Sequence, residues 1–178
     1  LIVVHLGSGI SVTPHLGGRM IDCNNPLEAG PMCPDRAGAL PAKSLIQLCY
    51  SGKYKSASEL IKKINREGGL YDHLGTSDLR VAEKMVKDGD PYAALVLKAM
   101  VYQIGKEIGA MATVLKGRVD AIIITGGMAN SEDLVAAISE RVSFIAPIKV
   151  IPGENEMDAL AKGALDAMRS EMEIKTYS

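Results

Sequence analysis

Val119-Asp120-Ala121-Ile122-Ile123-Ile124-Thr125 runs almost unbroken apolar into Gly126-Gly127 and leaves the chain few folds to choose from. A strand with apolar side chains on both faces needs cover on both, as the central strand of a parallel sheet has. Ser131 to Arg141 reads as the helix behind it, Ile148 to Ile151 as the next strand, and Glu156 to about Met172 as a closing helix.

The start of the chain has a different rhythm. Leu1 to His5 is a short apolar run that stops at Gly7-Ser8-Gly9, and Ile10 to His15 and Arg19 to Asp22 flank the hairpin signal Gly17-Gly18. Three strands in an antiparallel meander follow from this. The Pro/Gly/Asn-rich stretch from Asn24 to Pro41 is too long for a plain connection, which marks it as functional. Helical spacing then takes over in Ala42 to Tyr50 and in Ala57 to Glu67, the latter ended by Gly68-Gly69. Ser77 caps a helix from Asp78 to about Lys87, and Asp90-Pro91 opens a long helix through Leu115 that Gly117 ends. Strands, then helices, then β-α-β-α predict one α/β domain over residues 1–178. Its sheet is mixed and five-stranded, an antiparallel meander plus parallel strands, with helices on both faces.

Bulk composition removes several function classes. A formal net charge of -1 gives no basic field for a nucleic-acid backbone. No apolar run reaches the roughly 20 residues that span a bilayer, so neither nucleic acid nor membrane is an expected partner. Cys23, Cys33 and Cys49 are odd in number and lack metal-ligand spacing, which reads as cytosolic thiols. The sequence opens on Leu1-Ile2-Val3-Val4-His5, inside a strand and without methionine, so we expect an N-terminal part to be absent.

Five short constellations carry chemistry. In His5-Leu6-Gly7-Ser8-Gly9, alternate glycines let backbone N–H groups converge on an anion, with His5 and Ser8 adding side-chain bonds; the bland reading is a hairpin turn. Gly126-Gly127-Met128 ends a strand where a base or ribose can approach the backbone and a helix N-terminus follows; a plain strand-helix turn is the alternative. Arg36, in Pro34-Asp35-Arg36-Ala37-Gly38, can present a planar fork to phosphoryl oxygens or merely pair with Asp35 at the surface. Asp78-Leu79-Arg80 reads as a capped helix start, and Glu156, after Gly153-Glu154-Asn155, as a cap or a carboxylate for Mg2+.

In this order the five segments resemble the acetate and butyrate kinase family, from the larger group of sugar kinases, actin and heat-shock chaperone ATPases. The stretches Gly18-Arg19-Met20-Ile21-Asp22-Cys23-Asn24-Asn25, Leu48-Cys49-Tyr50-Ser51-Gly52-Lys53-Tyr54 and Glu140-Arg141-Val142-Ser143-Phe144-Ile145-Ala146-Pro147 are similar to the butyrate kinase branch. The resemblance implies a ribonuclease H-like, actin-like ATPase fold and the C-terminal, nucleotide-binding domain of a two-domain kinase. It implies His5, Gly7, Ser8 and Gly9 as a phosphate loop, and Arg36 as the arginine that steadies the transferring phosphoryl group. Asp78, Leu79 and Arg80 then line the nucleotide pocket, Gly126, Gly127 and Met128 form the adenosine motif, and Glu156 serves Mg2+. The implied reaction joins ATP and butanoate to give butanoyl phosphate and ADP, reversibly, in the cytoplasm, in a homo-oligomer whose own N-terminal domain completes the site. A non-catalytic, actin-like nucleotide switch is the alternative, and such modules lack the Arg36 loop.

Overall fold

A computed structural model describes residues 1–153 and 156–169, the side chain of Glu156 excepted. The strands are β1 (Ile2–Leu6), β2 (Ile10–Leu16), β3 (Arg19–Met20), β4 (Ile122–Gly126) and β5 (Ile148–Pro152). The helices are α1 (Ala42–Cys49), α2 (Ala57–Arg66), α3 (Gly69–Leu74), α4 (Leu79–Lys87), α5 (Pro91–Val114), α6 (Glu132–Val142) and α7 (Glu156–Met168). A single 3-10 turn, Gly127–Asn130, joins β4 to α6.

The five strands form one mixed sheet in the order β3-β2-β1-β4-β5. The meander β1-β2-β3 is antiparallel, and β1, β4 and β5 run parallel. The sheet expected from the sequence is therefore present, with β4 starting three residues later than its apolar run and β3 ending two residues early. Alternation decides the buried face: Ile2, Val4 and Leu6 of β1 join Ile10 and Val12 of β2 and Ile122 and Ile124 of β4 in the core. Against them α5 lays Val96, Met100, Ile104, Ile108 and Met111, spaced three or four residues apart as one helical face requires. Helices α4 and α6 pack on α5 in turn, through Leu79 and Ala82 and through Leu134, Ile138 and Val142.

Helix ends follow local chemistry. Asp90 accepts the amides of Tyr92 and Ala93 ahead of Pro91, and Ser131 accepts that of Leu134. At α4 the cap is Asp78 rather than Ser77, because the Asp78 carboxylate reaches the Arg80 amide. No helix among the described residues is long and apolar enough to cross a membrane.

Candidate active site

Parallel pairing of β1 with β4 sets His5 beside Thr125, so the loops leaving both strands emerge side by side at one sheet end. They are pressed together: a Cβ on Gly126, where φ is +94°, would stand 2.5 Å from the Leu6 carbonyl oxygen. Glycine is required there on both counts, conformation and space. The carboxyl end of parallel strands is where ligands of open α/β sheets bind. A groove of about 680 Å3 opens at this place, inside the roughly 300–1,000 Å3 usual for small-ligand sites.

Its walls collect four of the segments singled out in the sequence, Pro34 and Asp35 of the Arg36 segment among them. Gly7 and Ser8 line it from the first loop, Asp78, Leu79 and Arg80 from the start of α4, and Gly127 and Met128 from the 3-10 turn. His5, in β1, and Gly9, in the turn after it, do not line the groove, and the His5 ring folds back over Gly7. The Gly7 amide donates to the Gly9 carbonyl at 3.2 Å, which removes it from the donors an anion could use. Gly126 lies beneath the groove as the last residue of β4. Glu154 and Asn155 lie outside the described residues, as does the side chain of Glu156.

Arg36 stands behind this loop. A Cβ on Gly9 would overlap Arg36 Nη1 and lie 2.8 Å from its Cζ, so the guanidinium rests directly on the glycine. Its Nε faces Asp35 Oδ1 at 3.7 Å, and the two side chains are only 21% and 30% exposed. The Arg36–Asp35 pair anticipated at the surface thus exists, but sunk against the Gly7-Ser8-Gly9 turn. Asp35 is a shared wall: it lines the groove and also a polar depression of about 450 Å3 together with Leu27, Arg36, Ile61, Lys62 and Arg66.

The long Pro/Gly-rich segment is held rigidly enough to aim a side chain. Asn24, buried in the core, accepts the Val12 amide and donates to the Ile10 carbonyl. Gln103 of α5 accepts the Met32 amide at 2.7 Å. Around Arg36 the chain is clamped to the α2–α3 corner: Gly68 N–H donates to Asp35 O, Ala37 N–H to Ile64 O, Leu70 N–H to Cys33 O and Tyr71 N–H to Pro34 O. Gly68-Gly69, expected only to end a helix, is the seat of this clamp, and Gly69 itself begins α3.

Electrostatics fix the far end of the groove. The Asp78 carboxyl is held down to about 2, first by the hydrogen bond from the Arg80 side chain and then by the Arg80 amide. Arg80 Nη2 meets Asp78 Oδ2 at 2.6 Å. Glu83, one turn along α4, receives the Ser131 hydroxyl and joins Asn130 and Ser131 in the wall. Asn130 and Ser131 continue the Gly126-Gly127-Met128 turn, whereas Glu83 was not anticipated; it is i+4 from Leu79, and that spacing is the one sequence signal that could have found it. A separate apolar cleft between α4, α5 and α6 shares Leu79 and Glu83 with the groove, and Leu79 is the one predicted site residue in its lining.

For Mg2+ the donor set is informative. Among the described residues no three of His, Cys, Asp and Glu are gathered to hold a metal. Of the groove carboxylates, Asp78 is taken by Arg80, Glu83 by Ser131, and Asp35 faces Arg36. Mg2+ commonly keeps waters and uses one or two carboxylates plus substrate phosphates. A nucleotide-borne Mg2+ is compatible with these walls, which supply no cage of their own.

Comparison with known proteins gives a consistent answer. The chain is 49% identical over 178 residues to a probable butyrate kinase of Bacteroides thetaiotaomicron and 50% identical over 177 residues to probable butyrate kinase 2 of Caldanaerobacter subterraneus subsp. tengcongensis. Each alignment covers 99% of this chain and 50% of the relative, so the chain spans about half the length of the curated relatives it matches. Its fold is similar to that of Porphyromonas gingivalis acetate kinase, with a TM-score of 0.82 at 23% identity over 92% of this chain and 48% of that one. A propionate kinase from Francisella tularensis subsp. tularensis gives 0.78 at 23% identity over 88% and 46%. The fold class is that of the acetate kinases. Since the model of the Acetokinase family matches residues 1–171, nearly the whole chain, the chain belongs to the Acetokinase family.

Proposed function

We propose that this chain is the nucleotide-binding half of a carboxylate kinase that moves the γ-phosphoryl group of ATP to butanoate, and back. The observation that carries the reading is the groove at the ends of β1 and β4, where Gly7-Ser8, Asp78-Leu79-Arg80 and Gly127-Met128 meet, with Arg36 seated on Gly9 behind it. The phosphates lie toward Gly7 and Ser8, and the adenosine between Arg80 and Met128. Butanoate as the acyl substrate is drawn from the names of the two bacterial relatives.

In the forward direction a carboxylate oxygen of the acid bonds to the γ-phosphorus, and the bond from that phosphorus to the bridging oxygen of ADP breaks. No proton needs to move. The protein's task is alignment and charge stabilisation on the equatorial oxygens. Arg36 would meet that charge; Mg2+ carried on the phosphates would neutralise part of it when bound. The depression beside Arg36, with Leu27 and Ile61 next to Lys62 and Arg66, suits an anion with a short alkyl chain approaching from the opposite side. A second domain, in a protein of the relatives' length, would close the cleft, and a homo-oligomer in the cytoplasm accords with the same reading.

Two measurements test it. ADP titrated into the 178-residue chain should bind, and a protein of the relatives' length carrying this chain should form acyl phosphate from butanoate, trapped as a hydroxamate. There, Arg36→Ala should lower kcat by roughly 10²-fold or more with much less change in ATP affinity. ADP binding without acyl-phosphate formation from any short-chain acid would favour the nucleotide switch instead.

A further inference from the structure

We propose that Asp35 is the positioning residue for Arg36. Its carboxylate holds the Nε edge of the guanidinium, so that the Nη edge is kept against the phosphate loop where phosphoryl oxygens arrive. This inference rests on the kinase reading of the groove.

Asp35 Oδ1 and Arg36 Nε lie 3.7 Å apart. Both atoms are closed off from solvent, and neither has a hydrogen-bond partner in the structure. Two opposite charges hidden in this way persist because each offsets the desolvation of the other; removing one leaves the second uncompensated. The backbone leaves little freedom to either residue, since Asp35 O accepts the Gly68 amide and Arg36 O the Cys33 amide. What remains adjustable is the direction of the Arg36 head. A guanidinium is planar with a fixed fork of donors, so anchoring one edge aims the opposite one. Gly9 bounds that head on one side and Asp35 on the other.

Asp35 belongs to two walls at once. It lines the groove as well as the depression that holds Arg36. A lone carboxylate on that wall would oppose a polyphosphate. Paired with Arg36, it costs the nucleotide little and fixes the group that acts in the transition state. Removing the charge should therefore leave ground-state binding intact, or tighten it, while transfer slows. A residue that merely stabilised the fold would not produce that split.

The test uses the kinase carrying this chain at the relatives' length, with Arg36→Ala, Asp35→Asn, Asp35→Glu and the Asp35→Asn/Arg36→Ala double variant. Asparagine is isosteric, and melting curves check each fold; Asp35→Glu gives a second reading should the amide destabilise the loop. We expect Asp35→Asn to lower kcat by about 10-fold or more while the ADP Kd stays the same or falls, and Asp35→Glu to restore part of kcat. In the Arg36→Ala background the amide should cost less than about 2-fold, because its effect passes through the arginine. The same loss in both backgrounds, or an unchanged kcat in Asp35→Asn, would overturn the inference alone. An unchanged kcat in Arg36→Ala would likewise overturn it, whereas an unaltered protein that forms no acyl phosphate from any short-chain acid would bring down the kinase reading and this inference with it, a result read without touching Asp35.

Discussion

The guanidinium of Arg36 occupies the space that a side chain on Gly9 would need. A residue of the long Pro/Gly-rich loop and a residue of the first turn are thus mutually exclusive in volume, which ties the Gly7-Ser8-Gly9 turn to the arginine behind it. Gly9→Ala should displace the Arg36 head rather than the backbone, because the clash is with the end of a long side chain. In a protein of the relatives' length that shows the proposed kinase activity, kcat should fall by up to about 10²-fold, the scale for a misplacement near 1 Å, with ADP affinity little changed. Steady-state kinetics beside ADP titration checks this; loss of ADP binding with unchanged kcat would assign Gly9 to the nucleotide alone.

Gly69 supports the same arginine from below. Its φ is +61°, and a Cβ there would overlap the Cys33 carbonyl oxygen and lie 2.7 Å from that of Arg36. Both objects are backbone, so the strain cannot be relieved by a rotamer. Gly69→Ala should destabilise the chain by about 1–3 kcal/mol in urea unfolding. The neighbouring Gly75, which has φ +72° and no atom near its absent Cβ, should cost less on the same change. Equal losses at the two positions would show that conformation alone matters and that the clamp does not.

At the start of α4 the Asp78 carboxyl titrates near 2 when folded, held by Arg80. An unfolded aspartate titrates near 3.9. A depressed folded value means the stabilisation is fully present above the unfolded pKa and is lost as pH falls through the folded one. The capped, Arg80-paired corner of the groove should therefore stay intact at pH 4. Carboxyl NMR shifts should give a midpoint of about 2 for Asp78, rising toward the ordinary range in Arg80→Ala. An ordinary midpoint in the unaltered chain would mean that Arg80 is not held there.

Much of this was legible from the residues. The buried strands β1 and β4 announce themselves by apolar runs that end in glycine, and α5 by a three-and-four spacing sustained from Val96 to Met111. Gly7-Ser8 and Gly127-Met128 were legible for the same reason, since glycine-rich turns after strands are local features, whereas the residues alone marked Asp78-Leu79-Arg80 only as a capped helix start. What was hidden depends on distance along the chain. Gly68-Gly69 looks like a helix stop until Cys33 and Arg36 are seen packed over it. Asp35-Arg36 looks like a surface pair because burial is conferred by Gly9 and the α2–α3 corner, neither of them a neighbour in sequence. Glu83 reads as one more charge on a helix until Ser131 is folded against it.

A nucleotide held in the groove at the ends of β1 and β4 would lie against Gly127, so a substitution there reads its presence. No atom stands within 4 Å of a Cβ placed on Gly127, and its φ is not in the left-handed region, so the fold should accept a side chain that then projects into open space. That space is the groove. Calorimetric titration of ADP into the folded 178-residue chain and into its Gly127→Val variant, each verified by circular dichroism, is the decisive measurement. We predict binding to the first and a loss of about 1–3 kcal/mol in the second, the scale of overpacking a tight contact. A folded Gly127→Val chain with undiminished ADP affinity, or an unaltered chain that binds no ADP, would contradict the account.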